Sequence, residues 1–364
     1  MGRLLDRVGP TLIASCVLWA TACQTHGLYP EYEVDASEGG QACAPDCEPS
    51  HRRDRAPQDA AVRTDRPRRD AGALPGDPQE IELPYRPLKS NVMLLVDRSD
   101  SMNAATSCAA PPCQTWWSGL LTLTDTIEAV SGWARVGLAL YPSAENACGA
   151  DGCVVVPPYD APGVADEVRF VFETTAPVGS APMAAAVDDI IAHGELDDPV
   201  RPNLLVILTG GAPTCACGDP LDVRCESDAA VEAMAQLARQ APVIHARIIG
   251  VGSDAGQSAG VLRALARAAE GGTYDQVETV EALGNALYRA ASSAHPCAFL
   301  LEDSAAREAL VVRVDGSEIS RCADTPCEFG YTYDAQAATV VLSGRACDRL
   351  RDGEPHAVRI ARRR

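Results

Sequence analysis

The sequence predicts an α/β fold: a doubly wound, mostly parallel sheet followed by a small C-terminal β domain. Three observations carry this expectation. Apolar runs of strand length alternate with amphipathic helical segments from Lys89 to about His295. One of those runs, "NLLVILTG", is unbroken, as expected of a strand covered on both faces. After Cys297 the texture changes to short strands separated by turn residues.

The elements follow in order. "NVMLLV" is the first strand. "CQTWWSGLLTLTDTIEAVSGW" is a helix with Trp117, Leu120, Leu123, Ile127 and Val130 on one face. "RVGLALYPS" is the next strand, and "VRFVFETT" reads as a shorter edge strand. "PMAAAVDDIIAHG" is a helix closed by Gly194. Beyond "NLLVILTG", the helix "SDAAVEAMAQLARQ" is opened by Ser227 or Asp228. "PVIHARIIGVG" and "SAGVLRALARAAEGG" form a strand and a helix, and "TYDQV" with "TVEALGNALYRAASSA" closes the series. In the last region Asp315-Gly316 marks a hairpin within "LVVRVDGSEI". "YTYDAQAATVVLSG" reads as a second hairpin, and "RDGEPHAVRI" as a turn and a final strand.

The 364 residues leave room for one large domain and a small one. The expected division is a signal segment over 1–23, a disordered tether over 24–88, the α/β domain over 89–296 and the β domain over 297–364. The tether's core, "HRRDRAPQDAAVRTDRPRRDAGALPGDPQE", holds too little apolar surface to offset the entropy of ordering it. Its arginines alternate with Asp54, Asp59, Asp65 and Asp70, the pattern of a solvated linker. The formal net charge of -19 argues against nucleic acid as a partner.

Fifteen cysteines point to an oxidising compartment. Short loops offer the candidate pairs Cys43/Cys47, Cys108/Cys113, Cys148/Cys153, Cys215/Cys225 and Cys322/Cys327. None has zinc-site spacing. Cys297 and Cys347 lie near the ends of the β domain and could close a long loop. Arg3 and Arg7 precede the apolar run "VGPTLIASCVLWATAC", which is shorter than the roughly 18 apolar residues of a membrane span. "ATAC" resembles a bacterial lipobox, in which Cys23 would carry the lipid, although Ala20 stands where Leu is usual. The alternative is a plain secretory signal cleaved after Ala22. Setting aside Cys16 and Cys23 leaves an odd number, with Cys217 the candidate odd thiol.

The first strand ends at "DRSDSM", where Asp97, Ser99 and Ser101 crowd oxygens at one spot. This stretch resembles the D-x-S-x-S motif of the von Willebrand factor type A domain. "PVGSAPMAAAV" is similar to that family's G-x-T-P loop, and "LLVILTGGAPTC" to its strand ending in T-D-G-x-P. "GVGSDAG" and "GGTYDQV" fit its last α/β units, so the resemblance runs from about Lys89 to His295. The cysteine-rich insertions and appended β domain resemble a bacterial cell-envelope subgroup, often lipoproteins. The resemblance implies a Rossmann-like sheet and a metal-ion-dependent adhesion site, with Mg2+ or Mn2+ held by the three loops and completed by a ligand carboxylate. Carried over by residue, Asp97, Ser99 and Ser101 match the first loop. Ala181 stands where the family has Thr, with Ser180 beside it as the replacement hydroxyl. Gly210 stands where the family has Asp. Mg2+ takes about six hard oxygens and usually one or two carboxylates, so this set is expected to bind such an ion weakly at most.

The expected role is therefore recognition of a protein or surface polymer by a chain anchored in the bacterial envelope. An outer-membrane lipoprotein is the first reading and a secreted protein the second. Metal-dependent adhesion through the remaining ligands stays open beside a metal-independent interaction. A remote alternative is a nucleotide-dependent enzyme, because "GVGSDA" from Gly250 fits G-x-G-x-x-A with Asp275 about 20 residues on. No H-E-x-x-H motif is present, and no catalysis is expected.

Overall fold

The computed structural model describes residues 80–103, 115–142, 153–160, 163–214, 223–302, 310–323 and 327–363. The signal segment with Cys23, the tether up to residue 79, and Cys43, Cys47, Cys108, Cys113, Cys148, Cys215 and Cys217 lie outside the described residues. The elements are β1 (Glu80–Glu82), β2 (Tyr85–Pro87), β3 (Ser90–Asp97), α1 (Thr115–Val130), β4 (Ala134–Tyr141), β5 (Cys153–Tyr159), α2 (Val164–Thr174) and α3 (Met183–His193). They continue with β6 (Asn203–Thr209), α4 (Val223–Ala238), β7 (Ile244–Val251), α5 (Gly252–Gln257), α6 (Ala259–Ala268), β8 (Thr273–Val277) and α7 (Val280–Ser292). The last are β9 (Ala298–Leu301), β10 (Leu310–Val314), β11 (Ser317–Ile319), β12 (Phe329–Asp334), β13 (Thr339–Gly344), α8 (Arg345–Leu350) and β14 (Val358–Arg363).

A six-stranded sheet runs in the order β5-β4-β3-β6-β7-β8. Its neighbours are parallel except β5, which is antiparallel to β4. Every residue of β3 and β6 is buried. Successive strand residues point to opposite faces, so one strand feeds two cores. Val92, Leu94 and Val96 of β3 pack with Trp116, Leu123, Phe172 and Leu287 under α1, α2 and α7. Met93 and Leu95 pack with Met183, Ile190, Met234 and Leu262 under α3, α4 and α6. Burial of each such side chain contributes about 1.5–3 kcal/mol. The fold is thus the doubly wound α/β arrangement, with helices on both sides of a mostly parallel sheet.

Several local expectations need correction. "VRFVFETT" lies in the helix α2, not in a strand. Val164, Ala165, Val168 and Phe172 are its buried residues, at helical spacing, while Phe170 is 65% exposed and supplied the false alternation. The edge of the sheet is β5 instead, whose Pro157 and Pro158 suit an edge strand. Gly137 makes this pairing possible, because a Cβ there would sit 2.7 Å from the Val156 carbonyl oxygen. Helix α4 begins at Val223, ahead of Ser227. On α1, Leu123, Ile127 and Val130 are buried, whereas the Trp117 and Leu120 side chains lie outside the described set. Among the described residues no helix is long and apolar enough to cross a membrane.

The tether does not extend to residue 88. Strand β1 pairs with β14, and β2 pairs with β9, both antiparallel. Two four-stranded sheets result, β1-β14-β10-β11 and β12-β13-β9-β2. They share one core of Leu83, Phe299, Leu301, Val312, Tyr331, Val340, Leu342 and Ile360. The β domain therefore draws strands from both sides of the α/β domain, which is inserted between β2 and β9. At the junction the Leu88 amide donates to the Ala298 carbonyl at 2.8 Å, and the Ser90 hydroxyl donates to the Ala294 carbonyl.

Cys297 and Cys347 form a disulfide with Cα atoms 5.4 Å apart, as do Cys322 and Cys327 at 5.7 Å. Cys225 is also disulfide-bonded. The first of these closes a separation of 50 residues. Replacing both Cys297 and Cys347 by Ala is expected to cost about 4 kcal/mol in the chain-entropy model, read from urea unfolding of the oxidised proteins.

Two histidines flank the junction with opposite titration behaviour. His295 lies against the Trp133 ring, centroids 4.7 Å apart, and burial lowers its pKa to about 4. His356 bridges Asp315 (Nδ1 to Oδ2, 2.7 Å) and Asp352 (Nε2 to Oδ1, 2.9 Å). Burial alone would lower the His356 pKa, but the hydrogen bonds to Asp352 and Asp315 outweigh it and raise the pKa. An unfolded histidine titrates near about 6.5. Below that pH the unfolded chain takes up a proton that folded His295 refuses, so stability falls as pH drops toward about 4. Above it His356 holds a proton that the unfolded chain has lost, so its contribution fades as pH rises through its folded pKa. Urea unfolding is expected to show a stability maximum near about pH 6.5, with an acid limb on the order of 2–3 kcal/mol. His295→Gln should flatten the acid limb and His356→Asn the alkaline one.

Candidate functional site

The site lies at the C-terminal edge of the parallel sheet, where β3, β4 and β6 end in register. Asp97 of β3 pairs with Tyr141 of β4, and Val96 with Leu208 of β6. Asp97 is fully buried. Its Oδ1 accepts the Ser99 amide at 2.7 Å. Its Oδ2 accepts the Thr209 hydroxyl at 2.8 Å and the Gly210 amide at 3.4 Å. Burial raises the Asp97 pKa, and the hydrogen bonds from Ser99, Thr209 and Gly210 oppose that rise without cancelling it. The Tyr141 hydroxyl is fully buried, beside Thr209 and Asp97. Burial and then the nearby Asp97 carboxylate hold its pKa well above the ordinary tyrosine value, so it stays neutral.

Ser99 and Ser101 stand on the turn that follows, which tightens into a 3-10 segment over Asp100–Asn103. Their hydroxyl oxygens are 2.9 Å apart and hydrogen-bonded to each other. The Met102 amide closes this turn on the Ser99 carbonyl at 3.0 Å. Asp97, Ser99 and Ser101 are thus brought together as the sequence indicates. Ser180 is half-buried in the loop before α3, and no hydrogen bond joins its side chain to those three. The two loops are joined by backbone instead. The Asp100 amide donates to the Gly179 carbonyl at 2.9 Å, and the Val178 amide to the Arg98 carbonyl at 2.6 Å.

The two substituted positions have structural occupations of their own. Ala181 is buried in the core beneath α3, and its backbone exchanges hydrogen bonds with Thr214: its amide donates to Thr214 Oγ1 at 2.7 Å, and the Thr214 amide donates back to its carbonyl at 2.8 Å. Gly210 is packed against the first loop. A Cβ there would lie 2.8 Å from Ser101 Oγ and 3.1 Å from both Met102 Sδ and the Ser101 carbonyl carbon. Room for a longer side chain is closed by backbone as well as by side chains.

Sequence reasoning missed Thr209 and Thr214. Thr209 ends the buried strand β6, and its hydroxyl reaches both Asp97 and the Gly211 carbonyl, the latter at 3.0 Å. The available signal was a polar residue terminating an otherwise apolar run beside an in-register acid. Among the described residues no group of three or more His, Cys, Asp or Glu is placed to hold a metal ion.

The Gly250 loop joins β7 to the short helix α5. Its glycines make room for the chain's own side chains. A Cβ on Gly250 would lie 2.8 Å from the Tyr274 hydroxyl, and one on Gly256 would lie 2.5 Å from Gln276 Nε2. Gln276 Nε2 also donates to the Gly252 carbonyl at 3.1 Å.

No model of a known protein family matches the chain, and no curated protein matches it. Among solved structures it is similar to the pilus adhesin SpaC from Lactobacillus rhamnosus GG, at 11% identity and a TM-score of 0.43, over 76% of this chain and 39% of that one. The PilB minor pilin from Streptococcus sanguinis is 11% identical with a TM-score of 0.40, over 58% of this chain and 61% of that one. A von Willebrand factor type A protein from Catenulispora acidiphila is 12% identical with a TM-score of 0.36, over 76% of this chain and 58% of that one. The chain spans less than two thirds of each of these proteins.

Proposed function

We propose that this chain is a binding protein of the bacterial cell envelope. Its α/β domain would recognise a protein or surface-polymer partner at the C-terminal edge of the parallel sheet, without a stably held metal ion. Ligands of open α/β sheets sit outside the carboxyl ends of the strands, and Asp97, Ser99 and Ser101 occupy that edge. The observation that carries the metal-independent reading is that the protein itself engages both oxygens of Asp97. Both of its oxygens already accept hydrogen bonds from Ser99, Thr209 and Gly210.

A divalent ion of the Mg2+ or Mn2+ type asks for about six oxygens, usually including one or two carboxylates. Among the positions matched to the motif Asp97 is the one carboxylate, Ala181 offers no side-chain oxygen, and a Cβ at Gly210 would lie 2.8 Å from Ser101 Oγ. The donor set does not fit a tightly bound ion. A weak site would have to draw on Asp97, Ser99 and Ser101, with Ser180 as a fourth ligand.

The envelope reading rests on the lipobox-like Cys23, the linker-like tether and the disulfides, which favour an oxidising compartment. Lipid on Cys23 would anchor the chain to a membrane, with an outer-membrane lipoprotein preferred to a secreted protein. The role is recognition, not catalysis. The Gly250 loop supports this, since its glycines accommodate Tyr274 and Gln276.

The test is thermal unfolding with millimolar Mg2+ or Mn2+ against EDTA. The expected result is an unchanged Tm. A metal-dependent rise that Asp97→Ala removes would establish the adhesion-site alternative. Gly210→Asp is expected to destabilise by about 1–3 kcal/mol through overpacking against Ser101, and to confer no metal-dependent rise in Tm.

A further inference from the structure

A cavity of about 270 Å3 opens at the end of the α/β domain where β3 and β4 begin, away from Asp97. Its floor is aliphatic. Ile127 of α1, Ala134 and Val136 of β4 and Val164 of α2 line it, and none is more than 6% exposed. Tyr159, opposite Val136 in the sheet register, forms one wall. Two charges stand at the rim. Lys89 Nζ donates to Asp160 Oδ1 at 2.6 Å and to the Ser131 carbonyl at 2.7 Å. An ammonium carries three donors, so one N–H of Lys89 remains beyond these two acceptors. The Asp160 side chain is 62% exposed, and no described residue donates to its Oδ2. Residues 161–162, between Asp160 and α2, lie outside the described set. A spare donor and a spare acceptor of opposite charge thus stand side by side above an apolar floor. An exposed ion pair contributes little by itself, and an unfilled apolar wall forfeits dispersion contacts.

We infer that this cavity is a binding site for a free aliphatic α-amino acid of leucine size. The carboxylate of the zwitterion accepts the spare N–H of Lys89, its ammonium donates to Asp160 Oδ2, and its side chain covers the aliphatic floor. The chemistry of the rim and floor excludes the alternatives. A fatty acid would set its one charge against Asp160, and a simple amine would meet Lys89 as a like charge. A sugar would press hydroxyls onto a floor that offers them no partner, which costs free energy. The volume lies just under the roughly 300 Å3 at which ligand pockets usually begin, so the ligand is small. The site is at the opposite edge of the sheet from Asp97, since Ser90 and Ala134 pair there as Asp97 and Tyr141 pair at the other. The inference is therefore independent of the recognition reading and adds a small ligand to it.

The test uses the full chain labelled with 13C-lysine. Lys89 is the only lysine in the sequence, so a 1H–13C spectrum carries a single Cε signal, and it reports on the rim of the cavity. That signal is expected to shift saturably with millimolar leucine. Alanine is expected to bind at least about tenfold more weakly, because each methylene taken off the floor loses about fourfold in affinity. Calorimetry then compares leucine with N-acetyl-leucine, which lacks the ammonium, and with leucinamide, which lacks the carboxylate. Each is expected to bind at least about tenfold more weakly than leucine. Asp160→Asn should weaken leucine but not N-acetyl-leucine, and Lys89→Met should weaken leucine but not leucinamide. A general loss of fold cannot produce that pairwise pattern. A Lys89 signal unmoved by millimolar leucine would overturn the inference, as would alanine binding as tightly as leucine. N-acetyl-leucine equal to leucine would reassign the cavity to a peptide C-terminus, and leucinamide equal to leucine to a peptide N-terminus; either result overturns the free amino acid. Leucine binding left intact by both substitutions would place the ligand elsewhere and overturn the site.

Discussion

A carboxylate buried at the end of a parallel sheet is the constraint that organises this molecule's functional edge. Asp97 has no exposure to solvent, so the chain must supply what water would. The turn after β3 bends back to present the Ser99 amide, and the end of β6 presents the Thr209 hydroxyl and the Gly210 amide. Each requirement propagates. The turn that offers Ser99 brings Ser101 against Gly210, where a Cβ would have to displace the Ser101 hydroxyl. The same turn exchanges backbone hydrogen bonds with the loop before α3, and Thr214 then ties that loop to the segment after β6. Three loops are held as one surface by hydrogen bonds that begin at one acid.

Much of this was legible in the sequence, for identifiable reasons. A strand covered on both faces is apolar throughout, and "NLLVILT" could hardly be anything else. Asp315-Gly316 signalled its hairpin because both residues must adopt positive φ, and they do so at 49° and 80°. Asp97, Ser99 and Ser101 are local in sequence, so their proximity needed no tertiary knowledge. Thr209 left only a faint signal and Thr214 none, because their roles depend on partners more than thirty residues away. Gly210 could be read as a missing ligand, but only the distance to Ser101 shows that a side chain there would be crowded.

The failures have a common physical origin. "VRFVFETT" alternates like a strand only because Phe170 faces outward from a helix. "EIELPYRP" looks like charged linker because its stabilising partners lie at the other end of the chain. Arg313 forks onto both carboxylate oxygens of Glu80, one contact being 2.8 Å, and Ile81 and Glu82 pair with Arg362 and Ala361. Short strands of mixed polarity acquire their structure from the sheet that receives them, not from their own periodicity.

The insertion of the α/β domain between β2 and β9 has a consequence for the order in which the chain can fold. Those strands are direct neighbours, with Tyr85 opposite Leu301 and Pro87 opposite Phe299. To the β sandwich, the whole α/β domain occupies the position of a hairpin turn. The pairing of Glu80 with Arg363 joins nearly the two ends of the described chain, and closing so long a loop in an unfolded chain is slow. Once the α/β domain has assembled from its sequence-adjacent strand–helix units, its two ends emerge side by side, and the long loop becomes a short one. With the α/β domain assembled first, the β sandwich would close last, as a clasp across a domain that has already brought its two halves together.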